Sequence, residues 1–270
     1  MDRRVFLTGL AASVASFLAA CVTPPRPLAT TLPAEPITGA LSPLPAATPR
    51  PVLLPFDPNT PKFPLPKGPI TGLPTSNNMM AWTVDDGFGA ETVMKYAEFA
   101  RDSGARITFF VCAGAPGWTE AANILNPLIS SGQVQIANHT YTHADLTSLS
   151  DSQIQETLMQ NHDLIKQMYG VDPRPFYRPP FGRRDSRTDA AAAAIGYTVP
   201  VMWYGSLSDS GEIAPDQLLE FANKWFLPEH IVIGHANFPA VTTVFPQLVE
   251  LLNNRNLVTV TLNDIYEKNA

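Results

Sequence analysis

Met79-Met80-Ala81-Trp82-Thr83-Val84-Asp85-Asp86-Gly87 is the stretch on which the fold turns. Six residues dominated by apolar side chains end abruptly in two carboxylates and a glycine. A short apolar run closed by a turn signal reads as a strand covered on both faces. Two adjacent carboxylates cannot both enter the core behind such a strand, so they fall where the backbone turns out of it. A polar Asp-Asp-Gly turn satisfies that pattern. So does a site in which one carboxylate ligates a metal and its neighbour takes a proton.

Runs of the same kind recur at 107–112, 135–139, 176–180, 197–203, 231–236 and 257–262. Helical patterns separate them. Val93, Met94, Ala97 and Ala100 share one face, as do Phe245, Leu248, Val249 and Leu252. Ser150 and Gln153 make the pattern of a capping box, opening a helix that carries Ile154, Leu158, Ile165 and Met168 and stops at Gly170. Strands buried on both faces and separated by helices imply parallel pairing with helical crossovers. Seven strands over about 195 residues suit a small α/β barrel, with an open doubly wound sheet as the alternative. The sequence contains no dinucleotide fingerprint, phosphate loop or internal repeat.

Such folds place their chemistry at strand ends. His139-Thr140-Tyr141-Thr142-His143 begins where the third run ends. Spacing i, i+4 sets two imidazoles on one side of a helical turn, a chelating geometry, although an isolated pair is as often a surface coincidence. This pair uses two of the five histidines. Two histidines and one carboxylate leave a fourth position for water, as a catalytic zinc requires. Ile231-Val232-Ile233-Gly234-His235 sets a third histidine at a strand end, a post suited to a general acid and equally to a satisfied core histidine. Arg178, in Tyr177-Arg178-Pro179-Pro180-Phe181-Gly182, could serve the same cleft or pair with a surface carboxylate.

The chain has 27 prolines, and 16 of them lie between Val22 and Pro74. Proline fixes φ and lacks an amide donor, so 22–74 reads as a linker and 75–270 as one domain. At ~3.1 Å per residue, such a linker reaches on the order of 150 Å. Residues 1–21 read as an export signal: Arg3-Arg4 precede an apolar stretch too short for a comfortable membrane span. It looks like a twin-arginine signal, with an ordinary basic export signal as the rival. Leu18-Ala19-Ala20-Cys21 resembles a bacterial lipobox, whose cysteine becomes the lipidated N-terminus. Cys112, the second of two cysteines, closes an apolar run and reads as an inert buried thiol, so no disulfide framework follows. A net charge of −6 with no basic run beyond Arg3-Arg4 argues against a nucleic-acid partner.

Taken together, these motifs make the segment from about Met79 to Leu262 resemble the polysaccharide deacetylases, the NodB-like carbohydrate esterases. Thr83-Val84-Asp85-Asp86-Gly87, His139-Thr140-Tyr141-Thr142-His143, Arg178-Pro179-Pro180-Phe181-Gly182 and His235 carry the resemblance, with Thr108-Phe109-Phe110-Val111 similar to the family's second strand. It implies a deformed (β/α) barrel of about seven parallel strands. By the same resemblance Asp85 is the general base, while Asp86, His139 and His143 hold a divalent metal, expected to be Zn2+. Arg178 positions Asp85, His235 is the general acid tuned by Asp209, and the Phe181 backbone N–H faces the oxyanion. The implied reaction removes N-acetyl groups from an N-acetylglucosamine polysaccharide of peptidoglycan or chitin type. An O-acetyl xylan esterase and a non-catalytic glycan-binding lipoprotein are the alternatives. The chain departs from the family at Ser206 and at Ser210, where aspartate and tryptophan are usual, and Ala236-Asn237 follows His235 in place of the usual aspartate.

The expected protein is therefore exported and lipid-anchored to the cell membrane, with its domain outside the cytoplasm. Cys21→Ser is expected to release it from the membrane fraction or leave it unprocessed. An unchanged membrane fraction would show that Cys21 is not the anchor.

Overall fold

The computed structural model describes residues 52–75 and 77–267. The expected export signal, Cys21 and the linker as far as residue 51 lie outside them. In chain order the elements are β1 (Met79–Asp86), α1 (Ala90–Ser103), β2 (Ile107–Val111), α2 (Pro116–Glu120), α3 (Ala122–Ser130), β3 (Val134–Asn138), α4 (Asp151–Tyr169), β4 (Phe176–Tyr177), α5 (Ser186–Ala193), β5 (Val199–Pro200), β6 (Gly205–Ser206), α6 (Pro215–Trp225), β7 (Ile231–His235), α7 (Ala240–Thr243), α8 (Phe245–Asn254), β8 (Val258–Thr259) and α9 (Leu262–Ile265). Among the described residues, no helix is long and apolar enough to cross a membrane.

Seven strands run parallel in the order β5-β4-β3-β2-β1-β7-β6, a half-barrel of the expected class. β1 is its centre: one edge pairs with β2, and the other pairs with β8 at Met79 and Met80 and with β7 from Ala81 onward. Both faces of β1 are covered, which is why its sequence shows no alternation. Met80, Trp82 and Val84 enter a cluster with Val93 and Tyr96 of α1, Leu218 of α6 and Leu248 of α8. Met79 and Ala81 enter a second cluster inside the half-barrel, with Phe110, Ala137, Phe176 and Ile231. Burying one large apolar side chain contributes about 1.5–3 kcal/mol, so β1 alone anchors much of the domain.

The expected helices form as their patterns indicate. Ser150 and Gln153 make a reciprocal capping box on α4, and Gly170 ends it at φ 68°. The strands after β3 are shorter than the apolar runs suggest: 176–180 pairs only as β4, 197–203 only as β5, and 257–262 only as β8. Pro179, Pro180 and Pro200 lack ladder donors, which limits pairing there. β6 is an additional strand that no apolar run marks. Gly205 admits it, because a Cβ there would lie 2.5 Å from the Cβ of Trp225.

Residues 52–74, expected in the linker, lie against the domain instead. Leu53 is only 4% exposed within the larger cluster, and its N–H donates to the Ser103 carbonyl at 2.9 Å. Phe63 bridges to Tyr266, Ile70 to Val201 and Gly72 to His230. Ile70 N–H donates to Pro200 and its carbonyl accepts from Met202, while Leu73 N–H donates to Glu229. The segment is thus a strap across the gap between the β5 side of the half-barrel and the approach to β7. Leu53→Ala is expected to lower stability by about 2–5 kcal/mol in denaturant melts. A chain beginning at Thr75 is expected to melt well below one that keeps the strap, and equal melting would return 52–74 to the status of a linker.

Candidate metal and catalytic centre

The C-terminal ends of β1, β3 and β7 and the loop after β4 converge on one cleft. Asp85 continues the parity of Met79, Ala81 and Thr83, so its side chain enters the inside of the half-barrel. Alternation would send Asp86 the other way. Its backbone sits at φ 72°, in the left-handed region that Asp tolerates better than most residues, and this brings the second carboxylate round to the same cleft.

Arg178 is fully buried. Its Nη1 donates to Asp85 Oδ1 at 2.6 Å, its Nε to Val201 O at 2.9 Å and its Nη2 to Met202 O at 3.3 Å. The guanidinium lies 4.2 Å from the Phe110 ring centroid and 5.7 Å from that of Trp203. Burial pulls Arg178 below the usual arginine range, and Asp85 works against that pull. The guanidinium stays charged, because its unperturbed pKa lies so far above neutrality.

His139 and His143 do converge, though not on a helix. Thr140 and His143 adopt φ 67° and φ 50°, making a left-handed loop in place of the expected helical turn. Buried polar groups fasten it. Thr157 Oγ1 accepts from the N–H groups of Tyr141 and Thr142, and Thr140 Oγ1 accepts from His143 N–H. Asn138 Oδ1 accepts from Thr140 N–H and from Asn161 Nδ2, each at 2.8 Å. The sequence reading did not single out Asn138, Thr157 or Asn161. The signal was present for two of them, since Thr157 and Asn161 sit on the buried stripe of α4 beside Ile154, Leu158 and Ile165.

The tautomer of His139 follows from its contacts. Nδ1 lies 2.8 Å from the Arg178 carbonyl, which can only accept, so Nδ1 carries the hydrogen and a neutral ring points its Nε2 lone pair into the cleft. That lone pair is 3.2 Å from Asp86 Oδ1, and His143 Nε2 is 3.1 Å from the same oxygen. Asp86 Oδ1 is buried and has no hydrogen-bond donor of good geometry. The donor atoms of Asp86, His139 and His143 all lie within 4.8 Å of one another. The His139 lone pair and the Asp86 oxygen, two acceptors facing each other, require a cation or an added proton between them, and the His₂Asp set fits a divalent metal such as zinc. Burial would push Asp86 up, but the two imidazoles hold it well below the ordinary carboxylate range. Burial likewise lowers His139, and Asp85 and Asp86 more than reverse it.

Across β1 from this cluster, Asp85 is level with His235 in the β1–β7 register. His235 Nδ1 is 3.0 Å from Asp209 Oδ1, and Asp209 is almost wholly buried. Phe181, 62% exposed, occupies a left-handed turn at φ 59° with its ring edge-on to His143, at a centroid distance of 4.7 Å. Cys112 is buried as expected. Burial, then Asp86 and Asp85, push its thiol far up, which keeps it protonated and inert. Asn237, which sequence reasoning noted only as a departure, donates from Nδ2 to Asp86 Oδ2 at 2.7 Å.

Residues 72–200 match the polysaccharide deacetylase family model. Chitin deacetylase 1 of Cryptococcus neoformans is 27% identical over 193 residues, covering 72% of this chain and 38% of that protein. The peptidoglycan-N-acetylglucosamine deacetylase of Bacillus cereus is 27% identical over 183 residues, 65% of each chain. The chain thus spans between about a third and two thirds of the first curated relatives it matches. Among solved structures, the T48 deacetylase with substrate is similar at TM-score 0.61 and 25% identity, over 70% of this chain and 90% of that one. A pseudoenzyme of Bacillus anthracis shares the fold at TM-score 0.64 and 20% identity, over 75% and 72% of the two chains. Over residues 72–200 the chain is thus similar to the polysaccharide deacetylases.

The His235–Asp209 pair generates a prediction of its own. Burial alone would lower the His235 pKa, and Asp209, aided by Asp85 and Asp86, raises it above the ordinary histidine value. Asp209→Asn is expected to move the His235 ring titration to lower pH, followed by NMR. Stability contributed by the protonated ring is fully present below ~6.5 and lost as pH rises through the folded value. The stability gap between wild type and variant is therefore expected to narrow toward alkaline pH. A ring that titrates at the same or a higher pH in the variant would contradict this.

Proposed function

We propose that this protein belongs to the polysaccharide deacetylase family and is a metal-dependent hydrolase that removes N-acetyl groups from an N-acetylglucosamine-containing polysaccharide of peptidoglycan or chitin type. The observation that carries the reading is one juxtaposition. An arginine-held carboxylate and an aspartate-held imidazole flank a cluster of three ligand atoms at a single barrel mouth. Asp86, His139 and His143 would hold the ion, Zn2+ in this reading. A divalent cation there would supply Lewis acidity toward the acyl carbonyl and make water more acidic.

The chain's own groups divide the proton work. Arg178 holds and aims Asp85, so that a carboxylate oxygen can take a proton from attacking water. As the water oxygen bonds to the acetyl carbon, charge collects on the former carbonyl oxygen, within reach of the Phe181 N–H in this reading. The C–N bond breaks when the nitrogen is protonated, and His235, its Nδ1 engaged by Asp209, would supply that proton from Nε2. Acetate and a free amine result. Export and lipid anchoring through Cys21 would carry this activity outside the cytoplasm on a membrane tether.

Two isosteric substitutions test the assignment. Asp85→Asn is expected to retain metal and lose ~10²–10⁴-fold in turnover, since an amide cannot accept the proton. Asp86→Asn is expected to lose metal, the amide being the poorer ligand. Metal content and acetate release are measured on N- and O-acetylated glycans alike. Turnover confined to O-acetylated xylan would make the protein an esterase. Glycan binding without acetate release by the metal-loaded wild type would make it a binding protein, and metal-free protein at full activity would end the mechanism.

A further inference from the structure

The carboxylate of Asp86 has two oxygens, and only one faces the imidazoles. Oδ1 lies against His139 and His143, whereas Oδ2 accepts from Asn237 Nδ2 at 2.7 Å. The amide is itself fixed, because Asn237 Oδ1 accepts from the Phe88 backbone N–H at 3.1 Å. Flipping it would set NH₂ against N–H and a carbonyl against a carboxylate, two repulsive contacts in place of two bonds. The surrounding backbone is equally committed. Ala236 N–H donates to Asp85 O and Gly89 N–H donates to Ala236 O, each at 3.0 Å. A Cβ on residue 89 would lie 2.4 Å from the Asn237 carbonyl oxygen, so only glycine permits this approach. Four bonds thus lace the end of β1 and the loop after it to the loop after β7.

We infer that Asn237 is a positioning residue for the metal centre: it holds Asp86 Oδ2 and so presents Asp86 to a divalent cation through Oδ1 alone. The inference rests on Asp86, His139 and His143 being metal ligands. Without the amide, Asp86 is free to rotate or to chelate through both oxygens, and its single-oxygen geometry toward the two imidazoles is lost. Because Asn237 follows His235 by two residues, the same lacing ties the ligand carboxylate to the strand end that carries the imidazole of the proposed acid. Outer groups that orient a metal ligand commonly account for 10–100-fold in affinity.

The test compares Zn2+ affinity of wild type, Asn237→Ala and Asn237→Leu by competition with a chromophoric chelator, alongside the melting temperature of each metal-free protein. The expected result is a ~10–100-fold weaker affinity in both variants. Folded variants that bind zinc as tightly as wild type overturn the role of Asn237 and leave the metal centre standing. Wild type that takes up no divalent cation overturns the metal centre itself, and this inference with it. Should both variants fail to fold, a zinc-loaded wild-type crystal decides. One Asp86 oxygen on the ion with Oδ2 still on Asn237 supports the inference; both oxygens on the ion with Asn237 turned away overturns it.

Discussion

A guanidinium sealed from water has to be neutralised where it lies, and the site is arranged around that requirement. The Arg178 head is bonded to Asp85 on β1 and to the carbonyls of Val201 and Met202 beyond β5, and it faces the Phe110 ring of β2. Removing one partner of such a pair strands a buried charge, a loss of about 3–5 kcal/mol. The pair is therefore a poor source of net stability and a strict determinant of geometry. It reaches further through the Arg178 carbonyl, which takes the His139 Nδ1 hydrogen and leaves Nε2 as an acceptor. One residue thus sets the aim of a carboxylate and the tautomer of an imidazole.

The same logic explains why Asp85 and Asp86 differ despite being neighbours. Asp85 is held by a cation on the inside of the half-barrel. Asp86, swung round by a positive φ, meets two imidazoles on one oxygen and an amide donor on the other. Identical side chains at consecutive positions acquire different chemistry because one follows the strand's alternation and the other breaks it.

Much of this was legible in the residues, for reasons that can be located. β1, β2, β3 and β7 are long, doubly covered runs, and their ends carry Asp85, Asp86, His139 and His235 as the motifs suggest. The α4 cap is a purely local pattern and forms as read. What could not be read depends on tertiary surroundings. Spacing i, i+4 indicates a helical turn for His139 and His143, but Asn138, Thr157 and Asn161 reward a left-handed loop that spacing alone cannot reveal. β6 is written in glycine and serine, and its pairing depends on space beside Trp225. Proline content at 52–74 correctly excludes regular structure of any length, yet says nothing about whether Leu53 and Ile70 find a core to enter.

That strap carries a consequence for how the molecule assembles. Phe63 meets Tyr266, Lys62 reaches the Asn263 carbonyl, and Gly72 waits for His230. These are among the longest sequence separations in the domain. Phe63, Lys62 and Gly72 therefore find these partners only when almost the last residues of the domain have been made, and the half-barrel is sealed late, by its earliest described segment. Contacts of such range form slowly because the intervening chain must first be brought together. A nascent chain interrupted before residue 230 would lack β7 and β8, leaving one side of β1 open and Phe63 and Gly72 without their partners. The unsealed seam is the surface that a folding helper, or a second unfinished copy, would meet first.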